Sequence, residues 1–493
     1  MIIRRSLILI LGFVFPLACM CAEDSTVVPA KLALRQAFSL ALANNKDIRA
    51  ARLGAEAEES RVESARGEFD PMLETTTSWE ERDDALGTDP ESSHRSDHGA
   101  FSVAVSKRFT TGTEIELKGN QNYTDDDGAT VGVNPLSDSL GTVILRQDLL
   151  RNAGGAPNRM NILIAGNEWN RALEAVRSTL IANLLQVEQA YWNLYYSQAD
   201  LAVRNEQLAR ANQLVEVGEA QVRVGQSAPI EIIRARSSAA SQAVSILDAE
   251  NRISLFKNRL LRYLGVLDAG SLRSSFSLID EPPAPDGKLT LEQSLDIACE
   301  KRPDVRQALL DADTARLREN YAKNQRLPVL QVYGGVGVDG ADGHTTGSLS
   351  DAGSARDTTW EMGVTLRMPL GNRTAEGDHR AAILERRRAQ VRSRHIVEQA
   401  MNEVADAYDQ MVTARKRIAS ATQSGEHAQA LLAAEEKSFK LGRSTSLDVL
   451  DAQASLASAE REVVRAQVSH AIAYSYLLSV RGDFIEAKRI SLP

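Results

Sequence analysis

Three stretches of this 493-residue sequence carry residue types that can do chemistry. Gly335-Val336-Gly337-Val338-Asp339-Gly340 spells Gly-x-Gly-x-x-Gly, a string that cradles a pyrophosphate only where a helix follows at once and aims its N-terminus at the anion. Here a Gly/Asp/Ser-rich stretch continues to about Arg356 and reads as loop. The glycines are better explained as small residues on the wet face of a strand. The seven histidines, among them His94, His98, His344 and His379, show neither zinc-ligand spacing nor a partner nucleophile. Asp125, Asp126 and Asp127 are consecutive, whereas a calcium loop spaces its carboxylates along the turn. The chain is therefore expected to be no enzyme and to hold no cofactor or metal.

The N-terminus gives the compartment. Arg4 and Arg5 precede an apolar run from Leu7 to Leu17, followed by Ala18-Cys19-Met20-Cys21-Ala22. That is the charged, apolar, small-residue order of a secretory signal peptide, expected over 1–22 with cleavage after Cys21 or Ala22. Lipidation of Cys19 or Cys21 stays an alternative, although Pro16 sits where a lipobox wants Leu. The apolar run is about 11 residues, too short to span a bilayer as a helix. Losing Arg4 and Arg5 takes the formal charge from −9 to −11, and an acidic chain argues against a nucleic-acid partner. Beyond the signal only Cys299 and possible remnants of the cut site remain, too few for a disulfide framework.

The chain repeats itself. Leu34-x-x-Ala37-x-x-x-Ala41-Leu42 through Asp47-Ile48-Arg49 matches Leu291-x-x-Ser294-x-x-x-Ala298-Cys299 through Asp304-Val305-Arg306, and Pro71 and Leu73 fall on Pro328 and Leu330. Further on, Ala165, Ala190-Tyr191, Gly225, Leu261 and Gly265 match Ala382, Ala407-Tyr408, Gly442, Leu478 and Gly482. The expected units are a first repeat over 23–265, a Pro-rich linker over 266–288, a second repeat over 289–482 and a tail over 483–493. The register shifts by about 40 residues in between, so the first repeat carries an insertion.

Each repeat reads helix, strands, very long helix, turn, helix. No proline lies between Pro157 and Pro229 or between Pro369 and Pro493, so helices there can run unbroken. Long helices are expected at about 158–224 and 374–440, and shorter ones at about 230–264, 447–481, 33–67 and 290–325. At ~1.5 Å per residue, two short helices end to end match one long helix of ~100 Å. Between helices the period changes to two. Trp360, Met362, Val364, Leu366 and Met368 alternate with polar or small residues, as do Leu330, Val332, Val336 and Val338. Segments 72–81, 99–109, 113–123 and 138–149 continue the pattern, with a polar turn, Thr124-Asp125-Asp126-Asp127-Gly128, after the third. One apolar and one polar face suit strands between lipid and a wet lumen. Four to six strands cannot close a barrel, and open edges are not tolerated in lipid. The expected fold is thus a membrane β-barrel joined to a long α-helical barrel, built from two repeats and closed by oligomerisation. The additional hairpin around 99–123 is expected either to join that barrel or to cover its mouth. A periplasmic coiled-coil scaffold or adaptor is the alternative, and it leaves the alternating strands unused.

The chain resembles the TolC outer-membrane efflux family over nearly all of its mature length. The doubled entry helix and Pro71 and Pro328 at the strand starts carry part of the likeness. Leu441-Gly442-Arg443-Ser444-Thr445-Ser446-Leu447-Asp448-Val449-Leu450-Asp451-Ala452-Gln453 is similar to the family's Val-Gly-Thr-Arg-Thr-x-x-Asp-Val-Leu-Asp-Ala turn, and Val224-Gly225-Gln226-Ser227-Ala228-Pro229-Ile230-Glu231 resembles its first-repeat counterpart. The resemblance implies a homotrimer with a twelve-stranded barrel in outer-membrane lipid and a twelve-helix tunnel in the periplasm. It also implies a periplasmic adaptor and an inner-membrane transporter as partners, for efflux or type I secretion. Gly225, Gln226, Ser227, Gly442, Arg443 and Ser444 are then the tip turns that meet the adaptor. Asp448 and Asp451 match the family's paired aspartates, which in three copies would ring the periplasmic entrance and raise their own pKa by mutual repulsion. The plainer reading of Asp448 is an acidic residue favoured by the helix dipole. Glu231 matches the first-repeat acidic gate residue. The gate departs from the family at two positions: Phe439 stands where it has Tyr, and Ser444 where it has Arg. Arg443 or Lys440 could reach Glu231 instead.

Overall fold

In chain order the main elements are α1 (Leu34–Asn44), α2 (Lys46–Arg66), β1 (Met72–Ala85), β2 (Ser93–Arg108), β3 (Thr113–Asp126), β4 (Leu136–Asp148), α3 (Met160–Arg223), α4 (Pro229–Leu264), α5 (Leu291–Lys301), α6 (Pro303–Gln325), β5 (Val329–Asp342), α7 (Thr345–Ser354), β6 (Asp357–Arg367), α8 (Arg373–Lys440) and α9 (Ser446–Arg481). They come from a computed structural model that describes residues 29–85, 93–127, 132–225, 228–285, 289–441 and 443–491. The expected signal segment 1–22, with Cys19 and Cys21, lies outside the described residues. Helices α3 and α8 fill the proline-free stretches with 64 and 68 residues, ~96 and ~102 Å of rise. Among the described residues no helix is long and apolar enough to cross a membrane.

The single helices expected over 33–67 and 290–325 are each broken in two, at Asn45 and at Arg302, both in extended backbone. The physical reason is that these residues splice one helix onto another. Asn45 caps α2 through Oδ1, which accepts from the Asp47 and Ile48 amides at 2.9 and 3.2 Å, while its Nδ2 donates to the Tyr263 carbonyl at 3.0 Å. Tyr263 belongs to the last turn of α4, which ends at Gly265. That glycine has φ +75°, and a Cβ there would stand 2.5 Å from the Asn44 carbonyl oxygen, so only glycine fits. The second repeat is built alike. Arg302 Nη1 donates to the Val480 carbonyl at 3.2 Å, and Gly482, φ +77°, lies against the Lys301 and Arg302 backbone. Helices α4 and α2, and likewise α9 and α6, therefore stack end to end beside α3 and α8. Equivalent tyrosines tie each repeat to its own start: Tyr191 Oη donates to the Leu32 carbonyl at 3.0 Å, and Tyr408 Oη to the Leu289 carbonyl at 3.3 Å. The main core gathers at the α4–α2 splice, where Phe38, Leu184, Tyr191, Trp192, Leu260, Leu261 and Phe484 are buried together.

The strands form one antiparallel sheet in the order β1-β2-β3-β4-β5-β6. The additional hairpin, β2–β3, lies inside it. Met72 pairs with Ser106, Val105 with Leu117, Leu117 with Val143, Val143 with Val336 and Val336 with Trp360. That register puts Leu73, Phe101, Val103, Val105, Ile115, Leu117, Val143, Leu145, Leu330, Val332, Val336, Trp360, Met362, Val364 and Leu366 on one continuous face. The opposite face is hollow and mostly polar, carrying Glu116, Lys118, Asn120, Arg146, Asp339 and Glu361 beside Leu140 and Ile144, with Arg146 bonded to both Glu114 and Glu116. Strand β3 runs on through Asp125 and Asp126, which the sequence assigned to a turn. No described strand pairs with the outer edge of β1 or of β6.

One sequence expectation fails outright. The Gly/Asp/Ser-rich stretch after Gly340 contains helix α7, not loop throughout. Its formation depends on packing: Ser348 and Ala352 are buried on β5, where a Cβ at Gly340 would sit 2.2 Å from the Ser348 carbonyl oxygen. The dinucleotide reading gains nothing, because Gly335 to Gly340 remain within strand β5 to Asp342, Gly335 to Asp339 paired on both edges and Gly340 with Ser139.

Candidate functional site

The far ends of α3 and α4, and of α8 and α9, form two adjacent helix–turn–helix tips. At the first, Gly225 takes φ +74° with open space around its missing Cβ, so the left-handed backbone and not crowding asks for glycine. Its amide closes the turn on the Val222 carbonyl at 3.0 Å. Gln226 and Ser227 lie outside the described residues, as does Gly442 at the second tip. Around Gly442 the chain closes α8 through the Arg443 amide, which donates to the Ser438 carbonyl at 2.9 Å.

Asp448 is the acidic member of a capping box. Its Oδ2 accepts from the Thr445 amide at 2.9 Å and from Thr445 Oγ1 at 2.7 Å, while Thr445 Oγ1 accepts from the Asp448 amide at 3.3 Å. The Ser444 hydroxyl lies 3.2 Å from the same oxygen and 2.7 Å from Glu435 Oε2, sharing its one proton between the two carboxylates. The Thr445 hydrogen bonds hold the Asp448 carboxyl below the usual carboxylate range, opposite in sign to the rise expected from a crowded carboxylate ring. Asp451, one turn on, shares the exposed face of α9 with Asp448 and opens onto a shallow hollow with Ser455, Ser458 and Glu462.

Glu231 sits in the first turn of α4 and reaches across the two tips. One carboxylate oxygen accepts from Arg234 Nη1 at 3.0 Å, and the other accepts from Ser446 Oγ at the start of α9. Neither Arg443 nor Lys440 holds an ion pair with it among the described residues, where its charged partner is Arg234. Ser444 donates to Glu435 Oε2 at 2.7 Å and so ties its turn to α8. Phe439 is buried with Leu214, Ala235, Leu432, Val449, Ala452 and Leu456. It packs the tip core within one chain, and Lys440 lines a small groove beside it with Arg210 and Glu436. Glu231, Ser446, Thr445 and Asp448 are therefore brought together, while Phe439 lies in the core beneath them.

Sequence reasoning missed Ser446, since its partner is 215 positions away. It also missed a buried network at the splice level. Glu188 of α3 is fully buried and accepts from Trp192 Nε1, Ser475 Oγ and Lys488 Nζ at 3.1, 2.7 and 2.8 Å. The Thr445-x-x-Asp448 spacing could have shown the cap. Among the described residues no group of three or more His, Cys, Asp or Glu is placed to hold a metal ion.

Comparison with known proteins adds four findings. The family model for outer membrane efflux protein matches residues 154–266 and 295–482. Nodulation protein T of Rhizobium leguminosarum bv. trifolii is 25% identical over 312 residues, covering 62% of this chain and 64% of that protein. Alkaline protease secretion protein AprF of Pseudomonas aeruginosa is 22% identical, with 64% of each chain covered. The chain thus spans just under two thirds of these relatives' length. The solved structure of the outer-membrane channel OprN has the same fold, with a TM-score of 0.68 at 17% identity over 91% of this chain and 90% of that one.

Proposed function

Since the chain belongs to the outer membrane efflux protein family, a membership resting on a match that covers more than half of it, we propose that it is the outer-membrane exit duct of a tripartite efflux pump or a type I secretion system. It works without catalysis, as a homotrimer. The sheets of three copies close a barrel in the outer membrane, and the helices continue it as a tunnel through the periplasm. An adaptor protein and an inner-membrane transporter load the tunnel at the tips with small molecules or polypeptides. The name of one relative, a protease secretion protein, is in keeping with a polypeptide cargo.

The observation that carries this reading is the sheet register. Six strands align one largely apolar face, covered by α7 over Ser139 and Gly340 at the end away from the long helices, against a hollow face that carries Glu116, Lys118, Arg146 and Asp339, and Trp360, Met362, Val364 and Leu366 are 66–76% exposed on the apolar side. A water-soluble protein does not leave such a face bare, and a bilayer accepts it only when both sheet edges are paired. A periplasmic scaffold has no use for either. Tip chemistry follows the same reading. Asp448 and Asp451, tripled at the tunnel entrance, present six carboxylates where water is scarce and favour cations. Glu231, bridging the two tips of one chain, controls how far they separate. The test is fractionation: detergent extraction with outer membranes, heat-modifiable migration and the mass of three chains are expected. A monodisperse soluble monomer obtained without detergent overturns the proposal.

A further inference from the structure

The sheet has six strands per chain, where the twelve-stranded barrel implied by the family resemblance needs four. We propose that three copies close an eighteen-stranded barrel, in which the open edge of β6 in one copy pairs antiparallel with the open edge of β1 in the next. This rests on the trimeric duct proposed above and specifies its wall.

Three observations place the β2–β3 hairpin in that wall. Its ladders are complete: β2 pairs with β1 from Met72↔Ser106 to Ala85↔Ser93, and β3 pairs with β4 from Thr113↔Gln147 to Thr124↔Leu136. A four-stranded wall would need β1 to bond β4 directly, breaking both ladders to form one. The apolar face is also continuous through the hairpin, since Phe101, Val105 and Leu117 bridge Leu73 on β1 to Val143 on β4. Lifting the hairpin out would strip lipid-suited side chains from one face and bare backbone from two edges. Finally, the turn between β2 and β3 is docked where the sheet passes into α3. Asn158, buried, donates through Nδ2 to the carbonyls of Thr110, Asn152 and Gly154 at 3.2, 2.8 and 2.9 Å, and the Gly154 amide donates to the Thr111 carbonyl at 3.1 Å.

The perimeters agree. Four helix positions per chain give twelve in a trimer, a ring of about 100–120 Å at interaxial spacings of about 8–10 Å. Strands about 4.8 Å apart and tilted about 40° each take roughly 6.3 Å of circumference, so eighteen need about 110 Å and twelve only about 75 Å. Eighteen strands therefore fit on the helical tunnel at nearly constant bore. Closure also has the right polarity. Strand β1 runs away from the helices and β6 runs back towards them, so the seam between copies continues the antiparallel order. The duct then opens outward about one and a half times wider than a twelve-stranded barrel, a width suited to bulky cargo.

The full-length trimer, extracted from outer membranes and imaged by electron cryomicroscopy in lipid nanodiscs, supplies the strand count. Eighteen strands with β2 and β3 in the wall are expected. A trimer with twelve strands and the hairpin outside overturns the inference and leaves the duct standing; a particle that is not a membrane trimer overturns both. A second measurement needs no map. Phe101→Cys and Leu117→Cys should react with a membrane-impermeant maleimide about tenfold more slowly than Ser102→Cys and Lys118→Cys, because the first pair faces lipid. Equal rates within both pairs place the hairpin in water and overturn the inference.

Discussion

Thr142 and Val143 are neighbours at the centre of β4, and exchanging each for arginine should have opposite consequences. Val143 lies on the apolar face between Leu117 and Val336 and is 49% exposed in one chain. In the proposed duct that exposure would be to hydrocarbon. An arginine at the midplane of a barrel's lipid face costs about 2–4 kcal/mol, and three copies in one trimer bring roughly 6–12 kcal/mol against assembly. Thr142 points into the polar hollow with Glu116, Lys118 and Asp339. An arginine there stays hydrated and meets carboxylates, so Thr142→Arg should lie within about 0.5 kcal/mol of wild type. The assay is the yield of detergent-resistant trimer from outer membranes, followed by its urea midpoint. Val143→Arg should lose most of the trimer and Thr142→Arg should keep it. Equal losses, or a worse loss in Thr142→Arg, would refute the assignment of faces and with it the claim that this sheet lies in lipid.

Asp451→Ala leaves the Thr445–Asp448 cap intact, so a loss of cation selectivity and of trivalent-cation block in that variant belongs to the entrance charge; unchanged block means that Asp451 faces away from the tunnel. Hydrogen bonds from Thr445 lower the Asp448 carboxyl, so its cap is fully present above the ordinary carboxylate range and is lost only as pH falls through the lowered value. Selectivity carried by Asp448 should therefore persist down through the ordinary carboxylate range, and its collapse well above that range would show that repulsion around the ring outweighs the cap. Lys488→Ala leaves the buried Glu188 carboxylate without its cation and should cost about 3–5 kcal/mol, read from the thermal midpoint of the trimer. Adding Glu188→Gln should recover much of that loss, and a double variant no more stable than Lys488→Ala would show that packing of the lysine stem is what matters.

The sequence disclosed most where a single local rule decided the outcome. The absence of proline marked α3 and α8 to within two residues at each end, and period-two alternation marked every long strand. Gly225 showed its turn, because only glycine takes its backbone angle cheaply. Elements decided by distant contacts stayed hidden. Asn45 sits in a helical run, and its break becomes visible only beside Tyr263; Arg302 is the same case in the second repeat. Helix α7 has a loop's composition and folds on the bare backbone of Gly340. The hairpin β2–β3 was visible as strands, but its place inside the sheet is a matter of register with β1 and β4. At the tips the acidic residues were legible and their local bonds less so: the ring and helix-dipole readings of Asp448 leave out the hydrogen bonds it accepts from Thr445 three positions before it. The Glu231–Ser446 bond has no sequence signal.

The account rests on a continuous water path through barrel and tunnel, and single-channel recording tests it most directly. Purified trimer is placed in planar bilayers beside Glu231→Ala, which removes the bond to Ser446 across the tips. Discrete, cation-selective current steps are predicted for both proteins, larger and more frequent in Glu231→Ala. Membrane-inserted trimers that pass no current above the bare bilayer, in the variant as in the wild type, would contradict the account.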